Sequence, residues 1–496
     1  MQNSIATVVQ QAPAEPLEQA DIQGLIASGY GHLYHSRYFF LRVDDAALVK
    51  TWLASIAAQV TVAERPKVDG HHAKPAIAVN IALTWPGLAA LGLSKESLGT
   101  FPQEFREGMG QPYRATRLGD FGPSAPSTWE IGKVDDQGNP LQNIHILLIL
   151  QTPTESDLDV NSARMRREFA AQGLREECPA QTGRRLPRGR EHFGFHDSIS
   201  QPEIAGIDKP GKETQSHLKA GEFILGYKNS YDLLPATPMA PAQDDPHGAL
   251  TSIKHAGDSA EWRDLGRNGS YLVFRKLEQD VATFRSFFAE NFPDRQAEIA
   301  AKCVGRWPGG APLTLSPDKD DPDLSTSNDF AFAETDSQGF KCPIGSHIRR
   351  ANPRDSFRGT PQESVESVDR HRILRRGASY GDALPEGTIK DDGKSRGLLF
   401  ICVNADIKRQ FEFVQQSWIN NPKFLGLYND PDPLIGSSPA VEELDGMKDL
   451  PQMTIQQDPV RLRVHGIPRF VTMRGGGYFF LPSISALYFL AGTTKP

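Results

Sequence analysis

The stretch RYFFLRVDDAALVKTWLASIAAQ, residues 37–59, decides the fold class. Its first seven residues, Arg37–Val43, are an aromatic and branched run closed by two aspartates, the composition of a strand. From Asp44 the period changes. Leu48, Trp52 and Ile56 recur every four residues behind an acidic first turn, which predicts a helix with one apolar face. Further strands are expected at Ala76–Leu83, Ile144–Gln151, Ser270–Lys276, Gly397–Val403 and Tyr478–Pro482, and further helices at Gln279–Asn291 and Ile407–Ile419. Strand, helix and strand follow one another at 37–83 and again at 397–482. This predicts an α+β fold in two halves, each a mainly antiparallel sheet with helices packed on it. The repeat is architectural, with no period at the level of residues.

The length of 496 residues is about three times the roughly 150 of one domain. A 39% apolar content with 44 Gly excludes a disordered chain. The 54 Lys and Arg against 61 Asp and Glu give −7, which speaks against a nucleic-acid partner. Four scattered cysteines with no CxxC exclude a zinc ribbon or a dense disulfide framework, while thirteen His leave room for a metal or haem. No window approaches the roughly 20 apolar residues that span a bilayer, so no membrane partner is expected. Residues 1–20 read as a flexible lead-in without signal-peptide character, so a cytoplasmic location is expected by default, with export by another route left open. The region 172–260 reads as looser, and its Arg-rich run QTGRRLPRGRE (181–191) as a solvated loop. SPDKDDPDLSTSND (316–329) is an acidic loop without the spacing or central Gly of a calcium-binding EF-hand. RGGGYFF (474–480) has no phosphate-loop pattern and reads as a turn into a strand.

Three segments carry candidate chemistry. In EHFGFHDSISQPEIAG (191–206), Asp197 stands among Phe193, Phe195 and Ile199. Apolar surroundings raise a carboxyl pKa and suit an acid–base group; the alternative is an Asx-turn bonding the backbone two residues on. In KCPIGSHIRRANPRDS (341–356), His347 is followed by Arg349, Arg350 and Arg354. A neutral imidazole is a common axial ligand of haem iron, and cations nearby can neutralise haem carboxylates; the alternative is a structural hydrogen bonder. In HRILRRGASYG (371–381), apolar Ile373 and Leu374 precede Arg375 and Arg376. A guanidinium drawn inward needs anionic company, whereas Arg376 reads as a surface residue.

Together these segments resemble the dye-decolorizing peroxidase family, specifically its long bacterial and fungal-like branch. The resemblance runs through DIQGLIASGYGHLYHSRYFFLRV (21–43), NIALTWPGLAALGL (80–93), FGFHDSISQPEIAG (193–206), GEFILGY (221–227), NGSYLVFRKLEQD (268–280), CPIGSHIRRANPR (342–354), HRILRRGASYG (371–381), GLLFICVNADIKRQFEFVQQSW (397–418) and GGGYFFLPS (475–483). It implies two ferredoxin-like halves, 21–210 and 211–496, in a dimeric α+β barrel-like arrangement. It also implies haem b (iron protoporphyrin IX), bound mainly by the C-terminal half.

The family's Gly-x-x-Asp-Gly motif falls on Gly194–Ser198, making Asp197 the distal acid–base carboxylate. The final Gly is replaced by Ser198. If that position needs φ > 0, the replacement costs on the order of 1 kcal/mol. The resemblance makes His347 the proximal iron ligand, Arg375 the cation on the peroxide side, and Arg354 the partner of a haem propionate. Leu398 and Phe400 shape the distal pocket. Tyr380 corresponds to a surface tyrosine that relays electrons in some members; Trp418 is a second candidate relay, with packing on its helix as the alternative. Glu412 or Asp406 is expected to accept a hydrogen bond from the other nitrogen of His347. The implied activity is oxidation of dyes, phenolics and other one-electron reductants by hydrogen peroxide, in a monomer or homodimer. The rival is a haem-binding or carrier protein with little turnover, which Ser198 supports.

Overall fold

Residues 37–59 form β1 (His35–Val43) and α1 (Ala46–Ala57). Asp45 starts the helix, its side chain accepting from the N–H groups of Ala47 and Leu48, two of the donors that a helix start leaves unpaired. The buried stripe is Val49, Trp52, Leu53 and Ile56; Leu48 lies beside it and is 44% exposed. The computed structural model describes residues 16–65, 67–68, 71–208, 217–254, 260–437 and 451–495. Residues 1–15 of the expected lead-in and the expected division at 210/211 lie outside the described residues.

The first half continues with β2 (Ala78–Leu83), β3 (Ile146–Thr152), α2 (Glu155–Ala171) and β4 (Leu174–Arg184). The second contains β5 (Ser270–Gln279), α3 (Val281–Asn291), the short α4 (His347–Ala351), β6 (Ala378–Tyr380) and β7 (Gly397–Asn404). It ends in α5, wound in two segments (Lys408–Glu412 and Val414–Ile419), and β8 (Val471–Leu481). The first half is ordered β2–β3–β1–β4 and the second β6–β7–β5–β8. Both follow the ferredoxin-like order, second–third–first–fourth, and are antiparallel throughout.

The two sheets also join each other. Arg184 of β4 pairs with Ser379 of β6, and Leu83 of β2 pairs with Phe480 of β8, so the eight strands close into a ring. Closure removes the exposed strand edges on which sheets aggregate. Alternation along the strands then separates two cores. Tyr38, Phe40, Leu147, Ile149, Leu272, Phe274, Leu399 and Ile401 fill the interior. Their neighbours Phe39, Leu41, Leu148, Leu150, Val273 and Cys402 face outward under the helices. Because both faces are covered, strands such as β3 are buried at every position and read as continuous apolar runs.

Two expectations are corrected. β4 runs through the region read as loose: Leu174 and Cys178 are buried, and charged residues on its open face conceal the pattern. The three glycines read as a turn lie inside β8. A Cβ on Gly476 would stand 2.8 Å from the Phe274 carbonyl oxygen, and one on Gly475 2.8 Å from that of Ile131, so these glycines permit close backbone approach. The four cysteines are free and buried. Among the described residues no helix is long and apolar enough to cross a membrane.

Phe274 packs at 5.1 Å against Phe40 and 6.2 Å against Tyr38 across the interior. Phe274→Ala is expected to destabilise the protein by about 3–5 kcal/mol. Denaturant unfolding followed by far-ultraviolet dichroism and tryptophan emission should show both signals shifting together, since both halves share this core.

Candidate functional site

A cavity opens on the outer face of the second half's sheet. Arg275, Leu277, Leu398, Phe400 and Met473 form its sheet side, and His347, Ile348, Phe411, Val414 and Ile419 of α4 and α5 its helix side. In α5 the Glu412 N–H donates to the Ile407 carbonyl and the Asn420 N–H to that of Gln415, five residues back. Such π-type turns widen a helix and are frequent at functional sites.

His347 opens α4 and lines the cavity. Its Nδ1 is 2.9 Å from Oδ2 of Asp432, which is fully buried. The other oxygen of Asp432 accepts from the N–H groups of Leu434 and Ile435. Burial works against the Asp432 charge, but His347, Arg350 and the Ile435 N–H prevail and hold its carboxyl below the ordinary value. An ionised carboxylate only accepts, so Nδ1 carries the proton and the Nε2 lone pair is left for a ligand. The expected partners Glu412 and Asp406 do not fill this role. Glu412 accepts from Arg114 at 2.5 Å and from the Tyr478 hydroxyl at 2.8 Å. Asp406 accepts from the Arg409 N–H at the start of α5.

On the sheet side, Arg375 lies 3.3 Å from Asp197, with side-chain exposures of 36% and 40%. Arg375 also donates to the Ser200 carbonyl, and its backbone N–H donates to Gln201. The expected apolar setting of Asp197 is corrected: Phe193 stacks on Phe284 at 4.3 Å and Phe195 meets it edge-on, both turned into a separate aromatic cluster. Nor is there an Asx-turn of the expected span, since Oδ1 of Asp197 accepts from the next residue, Ser198, at 2.6 Å. Ser198 has φ +65°, the left-handed region that the replaced glycine would favour.

Leu398 and Phe400 line the cavity. So does Arg354, which donates to the carbonyls of Asn328 and Phe330 and lies 3.7 Å over the Phe330 ring. Burial, and then repulsion from Arg372 and Arg306, push its guanidinium well below the usual arginine range. All three arginines line the cavity, and such a cluster calls for anions. Arg349 and Arg350 play no part in it. They turn inward to carbonyls, Arg349 to Asp336 and Cys342, Arg350 to Trp418 and Asn421, and fix α4 against its neighbours. Arg376 likewise is no surface residue, since it donates to the Leu25 and Ile26 carbonyls.

The two expected surface relays are buried. Tyr380 is 7% exposed because β6 lies between β4 and β7, and Lys276 covers its ring at 4.9 Å. Burial raises its phenol well above the ordinary value. Trp418 is 4% exposed and packs on Phe357, His371 and Phe413.

Sequence reasoning missed Asp432, Arg306 and Arg372. Arg372 sits in a segment already singled out, but nothing local separates it from its neighbours. Asp432, in NDPDPLIG (429–436), stands 85 positions from its partner.

A family model described as Dyp-type peroxidase, C-terminal, matches residues 243–424. A dye-decolorizing peroxidase of Mycena epipterygia is 31% identical over 494 residues, covering 92% of this chain and 83% of the relative. The chain belongs to the dye-decolorizing peroxidase family. A multifunctional dye peroxidase of an Amycolatopsis species is 29% identical to it, with 90% of each covered. A crystal structure of a fungal DyP-type peroxidase from Auricularia auricula-judae superposes with a TM-score of 0.76 at 27% identity, covering 96% of this chain and 100% of that one. This dye-decolorizing peroxidase is accordingly an oxidoreductase, and its α+β fold is that of its relatives.

The strain at Ser198 is measurable. Left-handed backbone costs a β-carbon-bearing residue roughly 1–2 kcal/mol, against about 0.4–1 kcal/mol of unfolded-state entropy that glycine adds. Ser198→Gly is therefore expected to raise stability by up to about 1.6 kcal/mol, read as a higher thermal midpoint.

Proposed function

We propose that this dye-decolorizing peroxidase would hold haem b in the cavity through His347, and that Asp197 and Arg375 are the residues that act on hydrogen peroxide. The observation that carries this reading is one cavity lined on its helix side by His347, whose Nδ1 meets Asp432, and on its sheet side by Arg375, whose guanidinium lies 3.3 Å from Asp197. The donor set fits haem. Nε2 of His347 is left as the ligand, Leu398, Phe400, Phe411 and Val414 offer apolar walls, and Arg354, Arg306 and Arg372 suit the two propionates. When bound, haem supplies the redox-active iron that takes oxidising equivalents from peroxide and passes them on singly.

The protein's own residues do the rest. Asp432 orients His347 and, by accepting its Nδ1 proton, makes Nε2 a stronger donor. Asp197 takes a proton from the near oxygen of peroxide and returns it to the leaving oxygen. Arg375 stabilises the negative charge that grows as the O–O bond opens, at no reorganisation cost because its guanidinium is already held. With the halves divided at 210/211, Asp197 comes from the N-terminal half and His347 and Arg375 from the C-terminal one. Phenolics, dyes and other one-electron reductants then return the protein to its resting state. Tyr380 and Trp418, both buried, receive no role as surface relays.

Asp197→Asn and Arg375→Leu should keep haem and lower turnover with peroxide and a dye by about 10²–10³-fold; full turnover in either removes that residue from its role. His347→Ala should lose haem and its Soret band, and unchanged occupancy and spectrum would exclude it as the ligand. If the wild-type haem spectrum does not respond to peroxide in stopped flow, the protein is a haem carrier instead.

A further inference from the structure

We propose that Glu191 is a positioning residue for the peroxide reaction, its carboxylate fastening to the sheet the loop that carries Asp197. This rests on the role proposed above for Asp197. The loop Glu191–Ser198 has little regular structure of its own, so side-chain and turn bonds must hold it. Glu191 supplies most of them. Its Oε1 accepts from the Phe195 N–H at 2.9 Å, and its Oε2 from the Phe193 N–H at 2.9 Å and from Nε2 of Gln279 at 2.6 Å. Its backbone N–H donates to the Phe195 carbonyl, and its carbonyl accepts from Gly194.

Gln279 is the last residue of β5, and its own N–H donates to the Arg396 carbonyl. β5 also sends Arg275 and Leu277 into the cavity wall. One strand thus carries part of the wall and, through Gln279 and Glu191, the distal loop. The Asp197 side chain is 40% exposed and is held by Arg375 at 3.3 Å and by the N–H of its own neighbour. Its position therefore follows its backbone, which is tied by bonds from Asp197 N–H to Gly189 and from His196 N–H to Pro308. Burial raises the Glu191 carboxyl above its ordinary value; Gln279 and the two loop amides oppose this, and the charge of Asp197 adds to the rise. The two carboxylates are thus close enough to feel each other. A proton-transfer group displaced by an ångström loses much of its effect, which makes the fastening consequential.

Glu191→Gln keeps the size but turns one acceptor oxygen into an NH2 that faces the loop amides. Amide exchange at Phe193 and Phe195 should become faster. The second-order rate constant for peroxide should fall by about 10–100-fold, with haem content, resting spectrum and KM for the reductant unchanged. Gln279→Leu, which leaves the loop amides their acceptor, should show a smaller change in the same direction. Faster exchange with a wild-type peroxide rate overturns the proposal, as does unaltered exchange. If Glu191→Gln does not fold, Gln279→Leu decides by the same two readings. A wild-type protein inert to peroxide would defeat the function proposed above, whereas exchange at the two amides reports the fastening independently.

Discussion

Closure of eight strands into one ring is the constraint on which the rest of the structure depends. An eight-stranded barrel is just wide enough for its own side chains to fill, and here Tyr38, Phe40, Phe274 and their neighbours do so. The interior can take no large ligand, so any cavity must lie on an outer face. In the first half α1 and α2 cover that face with Trp52, Leu53, Met165 and Phe169. In the second, the cover includes the π-wound α5 and the short α4, and the cavity opens beneath them. Two halves of one topology thereby differ in use because their outer layers differ.

The parts of this plan that were legible in the sequence are those whose signal is local. β1, β3, β5 and β7 are apolar on both faces, and their runs stand out at almost their true boundaries. β4 escaped because its outward positions carry charge, and β6 because three residues with a central Ser leave no pattern. The span of α5 was readable from its apolar spacing, but its π winding was not, because a hydrogen bond to the fifth residue back leaves no mark on composition. The seams Arg184–Ser379 and Leu83–Phe480 are set by tertiary closure and have no sequence signature.

The same distinction governs the site. His347, Asp197, Arg375, Leu398 and Phe400 were reached through motifs and brought near one cavity by the fold. Sequence reading points to Glu412 or Asp406, on or near the 407–419 helix, as the acceptor behind His347, yet Glu412 is already claimed by Arg114 and Tyr478. Asp432 wins the position because its loop returns under α4, a placement that spacing cannot express. Likewise, Arg349, Arg350 and Arg354 look alike in sequence and all donate to backbone carbonyls, and only the fold brings Arg354 to the cavity wall as well.

The two carboxylates set around the cavity differ in a way that matches the roles proposed for them. Asp432 has to stay ionised, since a neutral acid would cease to hold the Nδ1 proton of His347. Its burial alone would oppose that charge, and the surrounding donors reverse the effect. Asp197 has to exchange protons with a small molecule, and a group sealed from solvent could not be reset between turnovers. Its 40% exposure and single guanidinium partner suit that task. What exposure takes away is rigidity, because an open side chain has few neighbours to fix it. The structure compensates through the backbone, with Glu191 beneath the loop and Ser198 held at φ +65° beyond it. Strain at the one position and a carboxyl anchor at the other are therefore two parts of the same solution, which leaves the proposed acid–base group open to solvent yet fixed in place.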